Sequence, residues 1–113
     1  MKDNVVKDKS LEFAVRIVNL YKFLVNEQKE FVMSKQILRS GTSIGANIRE
    51  AEQAQSRADF INKLNIALKE ANETEYWLEL LIRTEYITRE QYESINNDST
   101  EINKLLISII KTT

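Results

Sequence analysis

Cysteine, histidine and proline are missing from this chain, and glycine occurs only as Gly41 and Gly45. Without cysteine there is no disulfide framework, no thiol nucleophile and no thiolate metal site. Without histidine the commonest general base is gone, together with the Ser-His triad and the Glu-x-x-His ligands of carboxylate-bridged di-iron bundles. The shortage of glycine and proline removes the punctuation that tight turns between strands need, which argues against an all-β fold. The opening residues, MKDNVVKDKSLEF, lack the apolar run of a signal peptide, and no stretch approaches the roughly 18 apolar residues of a membrane span. The expectation is a cytoplasmic protein with no membrane partner.

What fills the chain instead is Leu, Ile, Ala, Glu, Lys, Gln and Asn, a composition typical of helical proteins. At 113 residues there is room for one domain around one core, so residues 1–113 are read as a single unit. Apolar residues make up 42%, enough to argue against disorder. Charge is nearly balanced at −1 but unevenly placed: residues 1–49 hold nine Lys/Arg against five Asp/Glu, and residues 50–113 hold seven against twelve.

Apolar spacing predicts four helices, over about 8–28, 34–54, 57–83 and 88–112. In the first, with Asp8 as N-cap, Phe13, Ile17, Leu20 and Leu24 form a heptad seam. Ala14, Val18, Tyr21 and Val25 lie beside it, widening the apolar arc to about 160° where one core-facing stripe needs ~100°. This helix has apolar surface to spare. The second, with Ser34 as N-cap, continues the alternation through Ile37, Gly41, Ile44, Ile48 and Ala51, although its SGTSIGANI centre is poor in helix formers. Spacing outweighs propensity here, and the small residues then serve close approach of a neighbouring backbone. Ser56 with Asp59 and Thr88 with Gln91 match the capping-box pattern and open the third and fourth helices. The seam of the third is Phe60, Leu64, Ala67, Ala71, Thr74, Leu78 and Leu81; the fourth carries Tyr92, Ile95, Ile102, Leu106 and Ile109, with Asn96 to Thr100 as a potential break. Connections of about two to six residues force successive helices to be antiparallel neighbours. The predicted fold is an all-α, up-down-up-down four-helix bundle.

The only candidate chemical cluster is Glu70, Glu73, Glu75 and Glu79, which lies off the seam and reads as a solvated acidic face rather than a metal or acid-base site. The GTSIG stretch lacks the lysine of a phosphate loop and has no strand before it. No catalytic residue, metal or cofactor is expected. Asn47 and Asn65 lie near apolar stripes and, if interior, would fix register or an interface. Lys9, Arg16, Lys22, Lys35, Arg39 and Arg49 would track a nucleic-acid backbone if gathered on one face; the alternative is an ordinary charged surface. A basic half beside an acidic half also suits docking between copies of the chain.

The segment Arg39-Ser40-Gly41-Thr42-Ser43-Ile44-Gly45-Ala46-Asn47-Ile48-Arg49-Glu50-Ala51 resembles the bacterial four-helix-bundle proteins encoded in intervening sequences of 23S ribosomal RNA genes. Phe60, Leu64, Ile66, Ala67, Glu70, Glu75 and Leu78 are similar to that family's third helix, and the likeness runs from about Phe13 to Ile110. Ala51 stands where the family commonly has glycine. The resemblance implies a left-handed bundle, assembly as a homopentamer and no established enzymatic activity. It extends to the accessory variability proteins of diversity-generating retroelements, which implies RNA or a nucleic-acid-processing protein as partner. The function expected is a noncatalytic homo-oligomeric bundle acting in assembly or beside RNA. The alternatives are a nucleic-acid-binding accessory protein and, less favoured, a carboxylate metal bundle.

Overall fold

Helices α1 (Lys2–Asn26), α2 (Met33–Glu52), α3 (Arg57–Arg83) and α4 (Arg89–Thr112) make up a computed structural model that describes the backbone from residue 2 onward and side chains from residue 5 onward. Among the described residues the helix backbones approach one another closely in the order α1–α2–α3–α4–α1 and not across either diagonal, so the four stand around one core in a body of 44 × 21 × 19 Å. Contacts run in opposite directions along neighbouring helices. Arg39 reaches Glu70 and Glu73 while Glu50 meets Lys63; Lys7 meets Glu52; Lys9 and Arg16 meet Glu101 and Asp98. With the five-residue link between α3 and α4, this is the antiparallel arrangement that the short connections predict.

The expected start of α1 needs correction. Asp8 is no cap; it lies inside a helix that begins at Lys2, because the seam extends backward through Ser10 and Val6, which are 1% and 0% exposed. Burying Val6 contributes about 1.5 kcal/mol or more, which outweighs the modest preference of Asp for a cap. Ser34 is also not a cap. Glu30 takes that role from the preceding turn: its Oε2 accepts the amides of Val32 and Met33 at 3.1 and 3.0 Å, and its Oε1 accepts that of Ser34 at 2.7 Å. One carboxylate thus satisfies three of the amides that a helix start leaves unpaired. Ser34 is instead wholly buried.

Of the two expected capping boxes only that of α4 is complete; at α3 Ser56 caps the helix but Asp59 Oδ2 accepts the Gln55 amide at 3.3 Å instead of that of Ser56. Ser56 Oγ accepts the Asp59 amide at 3.0 Å, and Thr88 with Gln91 forms a reciprocal box. No break occurs at Asn96–Thr100, since Ser99 falls on the seam between Ile95 and Ile102 and is fully buried. The centre of α2 is helical despite its composition. An added Cβ at Gly41 would lie 2.7 Å from Ile17 Cγ1, so glycine at this point lets α2 press directly onto the α1 seam. Beside it Thr74 Oγ1 and Ser40 Oγ, both buried, bond across α2 and α3 at 3.0 Å.

Candidate functional site

Of the residues expected to mark the seam, Gly41, Ile44, Ile48, Leu64 and Ala67 are buried. Phe60 is half-buried against the core, and Gly45 packs on Ser10 of α1. Asn47 is half-buried and donates from Nδ2 to Ser43 O of its own helix at 2.8 Å, and Asn65 is exposed, so neither sets register between helices. The interior polar residues are others: Ser10, Ser34, Ser40, Thr74 and Ser99 on the helices and Glu30 in the turn before α2. Small hydroxyls at seam positions are hard to tell from caps or turns in a sequence, because the same side chain suits both.

The six basic candidates are not gathered on one face. Lys9 pairs with Glu101 at 3.1 Å, and Arg16 donates to Asp98 Oδ2 at 2.7 Å and to Ser94 Oγ at 2.9 Å, both along the α1–α4 side. The Glu101 hydrogen bond and its charge hold the Lys9 pKa above the ordinary lysine value. Arg39 lies on the α2–α3 side and forks onto Glu70 at 3.1 and 3.2 Å and onto Glu73 at 2.6 Å. Those bonds, Glu70 first, raise the Arg39 pKa; in return Arg39, then the Trp77 indole donating at 3.1 Å, hold Glu73 below the usual carboxylate range. A guanidinium committed to two carboxylates is a poor phosphate ligand. Lys22, Lys35 and Arg49 are exposed and carry no ion pair among the described residues.

The α3 glutamates are divided among separate partners. Glu70 and Glu73 face Arg39, Glu79 accepts from Arg83 at 3.2 Å, and Glu75 accepts from Asn103 Nδ2 at 2.6 Å. Among the described residues no group of three or more acidic side chains is placed to share a metal ion. Nor is any helix long and apolar enough to cross a membrane.

The surface is distinguished by its apolar residues. Leu11 and Val15 on α1 are 49% and 54% exposed. At 100° per residue they share a line with half-buried Val18 and Val25, interrupted by Lys22, on the outer side of α1. At the turn between α1 and α2, Phe31 and Val32 are 52% and 72% exposed. An open groove of about 600 Å³ runs between α1 and the start of α4, floored by Leu20, Phe23, Ile87 and Ile95. The surplus apolar arc expected at Ala14, Val18, Tyr21 and Val25 is half-buried at all four positions, and the exposed Leu11 and Val15 lie outside that expected stripe. The tip is missed in the sequence because Phe31 and Val32 belong to no periodic pattern, and the groove because it depends on how α4 sits beside α1.

The family model described as 23S rRNA-intervening sequence protein matches residues 2–108. No curated protein matches the chain. A crystal structure from Bacteroides thetaiotaomicron, described as a protein with unknown function from the S23 ribosomal protein family, is 98% identical, covers 97% of this chain and 95% of its own, and superposes with a TM-score of 0.94.

Proposed function

We propose that this chain, which belongs to the 23S rRNA-intervening sequence protein family, is a noncatalytic bundle that assembles with copies of itself, as a pentamer, into an RNA-associated module. The observation that carries the reading is the outward apolar line on α1, where Leu11 and Val15 are about half exposed while the seam on the opposite side of the same helix is already buried. A helix that needs one apolar stripe for its own bundle and carries a second leaves the second for another chain. The absence of histidine and cysteine, and the separate partners of the α3 glutamates, leave no acid-base or nucleophilic constellation to favour catalysis.

A second reading, direct binding of RNA phosphates, is favoured by Lys22, Lys35 and Arg49, whose charges are exposed and unneutralised by neighbours among the described residues. Repetition of three cations around a ring would add up where one chain is weak. Light scattering at low and high salt, with absorbance at 260 nm followed on the same peak, separates the two. A particle of five times the 13.2 kDa chain mass, free of nucleic acid at both salts, supports assembly alone. Nucleic acid stripped by salt supports the second reading, and a 13.2 kDa particle overturns the first.

A further inference from the structure

Contacts between α1 and α2 fix which flank of each helix faces the other. Lys7 meets Glu52 across this side at 3.0 Å, whereas Lys9 and Arg16 reach α4 and Arg39 reaches α3. At about 100° per residue, Val18, Tyr21 and Val25 fall within about 40° of Lys7 on α1, and Leu38 and Arg49 within about 60° of Glu52 on α2. Lys22 and Lys35 stand further out, one on each helix. The register in which Gly41 meets Ile17 sets these two at nearly one height, and Arg49 lies about 21 Å from them along the bundle. The α1–α2 side is therefore a strip with half-buried apolar side chains along its floor and the exposed cations Lys22, Lys35 and Arg49 along its edges. None of the three has an ion pair among the described residues.

Neighbouring acids do not cancel this charge. Glu52 is taken by Lys7 and Glu50 by Lys63, and Glu30 in the turn has its carboxylate on three amides. Glu27, kept in helical phase by its amide bond to Phe23 O at 2.8 Å, lies on the α4 flank of α1, as does Glu12. Asp8 is about 40° further round α1 than Lys22, toward α4, and at the Arg49 end of the strip. The positive potential is thus strongest at the Lys22–Lys35 end.

We infer that this strip docks an amphipathic α-helix of another protein, one whose apolar stripe is bordered on both sides by Asp and Glu. Such docking goes beyond self-assembly and does not require it. An apolar floor between cationic edges matches that helix in both respects: the floor takes the stripe, and the edges take the acids and set its register. RNA would use the edges alone, because aliphatic side chains offer a phosphate backbone nothing and the one tyrosine of the floor is half-buried. A membrane surface needs apolar side chains that project, whereas Val18, Val25 and Leu38 are recessed. A second copy of the chain lacks the complement among the described residues. Ile107 of α4 is flanked by Lys104 and Lys111, the Glu73 and Glu79 beside Tyr76 of α3 are held by Arg39 and Arg83, and Leu11 and Val15 of α1 have acids along one flank only.

The probe is a fluorescently labelled peptide of about eighteen residues, a leucine stripe bordered by Glu on both sides, long enough to span the three cations. Anisotropy titrations with the native chain compare it with two controls, the same stripe bordered by Lys and the same Glu pattern with Ser in place of Leu. Binding at least tenfold tighter than either control is the expected result. A Lys22→Glu, Lys35→Glu chain with the parent's circular dichroism should bind at least tenfold more weakly, and a Lys104→Glu, Lys111→Glu chain, altered by the same charge on α4, should bind as the parent does. Binding no tighter than the controls, or unmoved by reversal of Lys22 and Lys35, overturns the docking site. So does labelled single-stranded RNA, or a vesicle of anionic lipid, that binds through those two lysines where the peptide does not. An assembled chain that ignores the peptide leaves the self-assembly reading standing, and a monomer that binds it overturns that reading alone.

Discussion

Gly41→Ala provides the sharpest test of how closely α1 and α2 approach. The new methyl carbon would sit 2.7, 2.9 and 3.0 Å from Ile17 Cγ1, Cγ2 and Cδ1, closer than real carbon atoms pack, and Ile17 is 0% exposed with nowhere to turn. Overpacking of this kind costs about 1–3 kcal/mol. Alanine in a helix interior returns about 1 kcal/mol over glycine, so the net expectation is a loss of up to roughly 2 kcal/mol. The sign should reverse once the obstacle is removed. In an Ile17→Ala background, itself about 2–5 kcal/mol less stable, the same Gly41→Ala change should stabilise by about 1 kcal/mol, because only the propensity gain and a partly filled cavity remain. Gly45→Ala is the companion: its Cβ would lie 3.3 Å from Ser10 Oγ and 3.5 Å from Ser10 O, so a small loss of room offsets the helix gain and the net change stays within about 0.5 kcal/mol. Urea midpoints followed by far-ultraviolet circular dichroism at one fixed protein concentration measure all four variants on a common scale. A Gly41→Ala chain with Ile17 intact that gains the full ~1 kcal/mol over the parent refutes the close approach.

Other substitutions test the caps, the core and the charge network. Glu30→Ala should cost about 2 kcal/mol in urea unfolding, since three amides lose their acceptor, and Glu30→Gln should recover part of that with its one remaining oxygen. Glu85 holds φ 66° where α3 reverses through a Tyr86 amide to Leu81 O bond of 3.0 Å, so Glu85→Gly should raise the urea midpoint by the equivalent of about 0.5–1 kcal/mol. Ile44→Asp buries a charge at a site that is 0% exposed and should abolish the helical dichroism altogether. Glu73, held by Arg39 below its ordinary carboxylate pKa, contributes stability at neutral pH that is lost as pH falls through its lowered value. Glu73→Gln should therefore flatten the acid limb of a stability-against-pH curve, by less than about 1 kcal/mol because both side chains are more than a third exposed.

These contacts also separate what periodicity can reveal from what it cannot. The large apolar seam residues are legible on all four helices because they repeat every three or four positions over several turns, and Gly41 does not disturb that phase; Val6 and the buried serines Ser10, Ser40 and Ser99 are not legible in this way. Ser34 and Asp8 were misassigned for one reason: a cap is a local preference worth about 1 kcal/mol, and a neighbouring element can override it. For Asp8 the override is the burial of Val6 one turn earlier. For Ser34 it is Glu30, a long side chain whose reach back to the helix start depends on the turn at Lys29.

The surface divides along the same line, and the division bears on function. A count of basic residues by sequence half suggests a cationic face, yet the half is not a face: Arg16 and Lys9 meet acids of α4, and Arg39 meets acids of α3. The acidic second half is thereby partly spent within the chain on the basic first half, and the charge asymmetry is largely an intramolecular matter. Lys22, Lys35 and Arg49 keep exposed charges without such pairs among the described residues. By contrast, an apolar arc on α1 wider than one seam is legible in the sequence, and although the stripe expected at Ala14, Val18, Tyr21 and Val25 is half-buried, Leu11 and Val15 stay about half exposed. An apolar surplus that survives folding must be met by solvent or by another chain, whereas a charge surplus can be cancelled at home. That asymmetry makes the apolar line of α1, rather than the cations, the stronger guide to what this protein does.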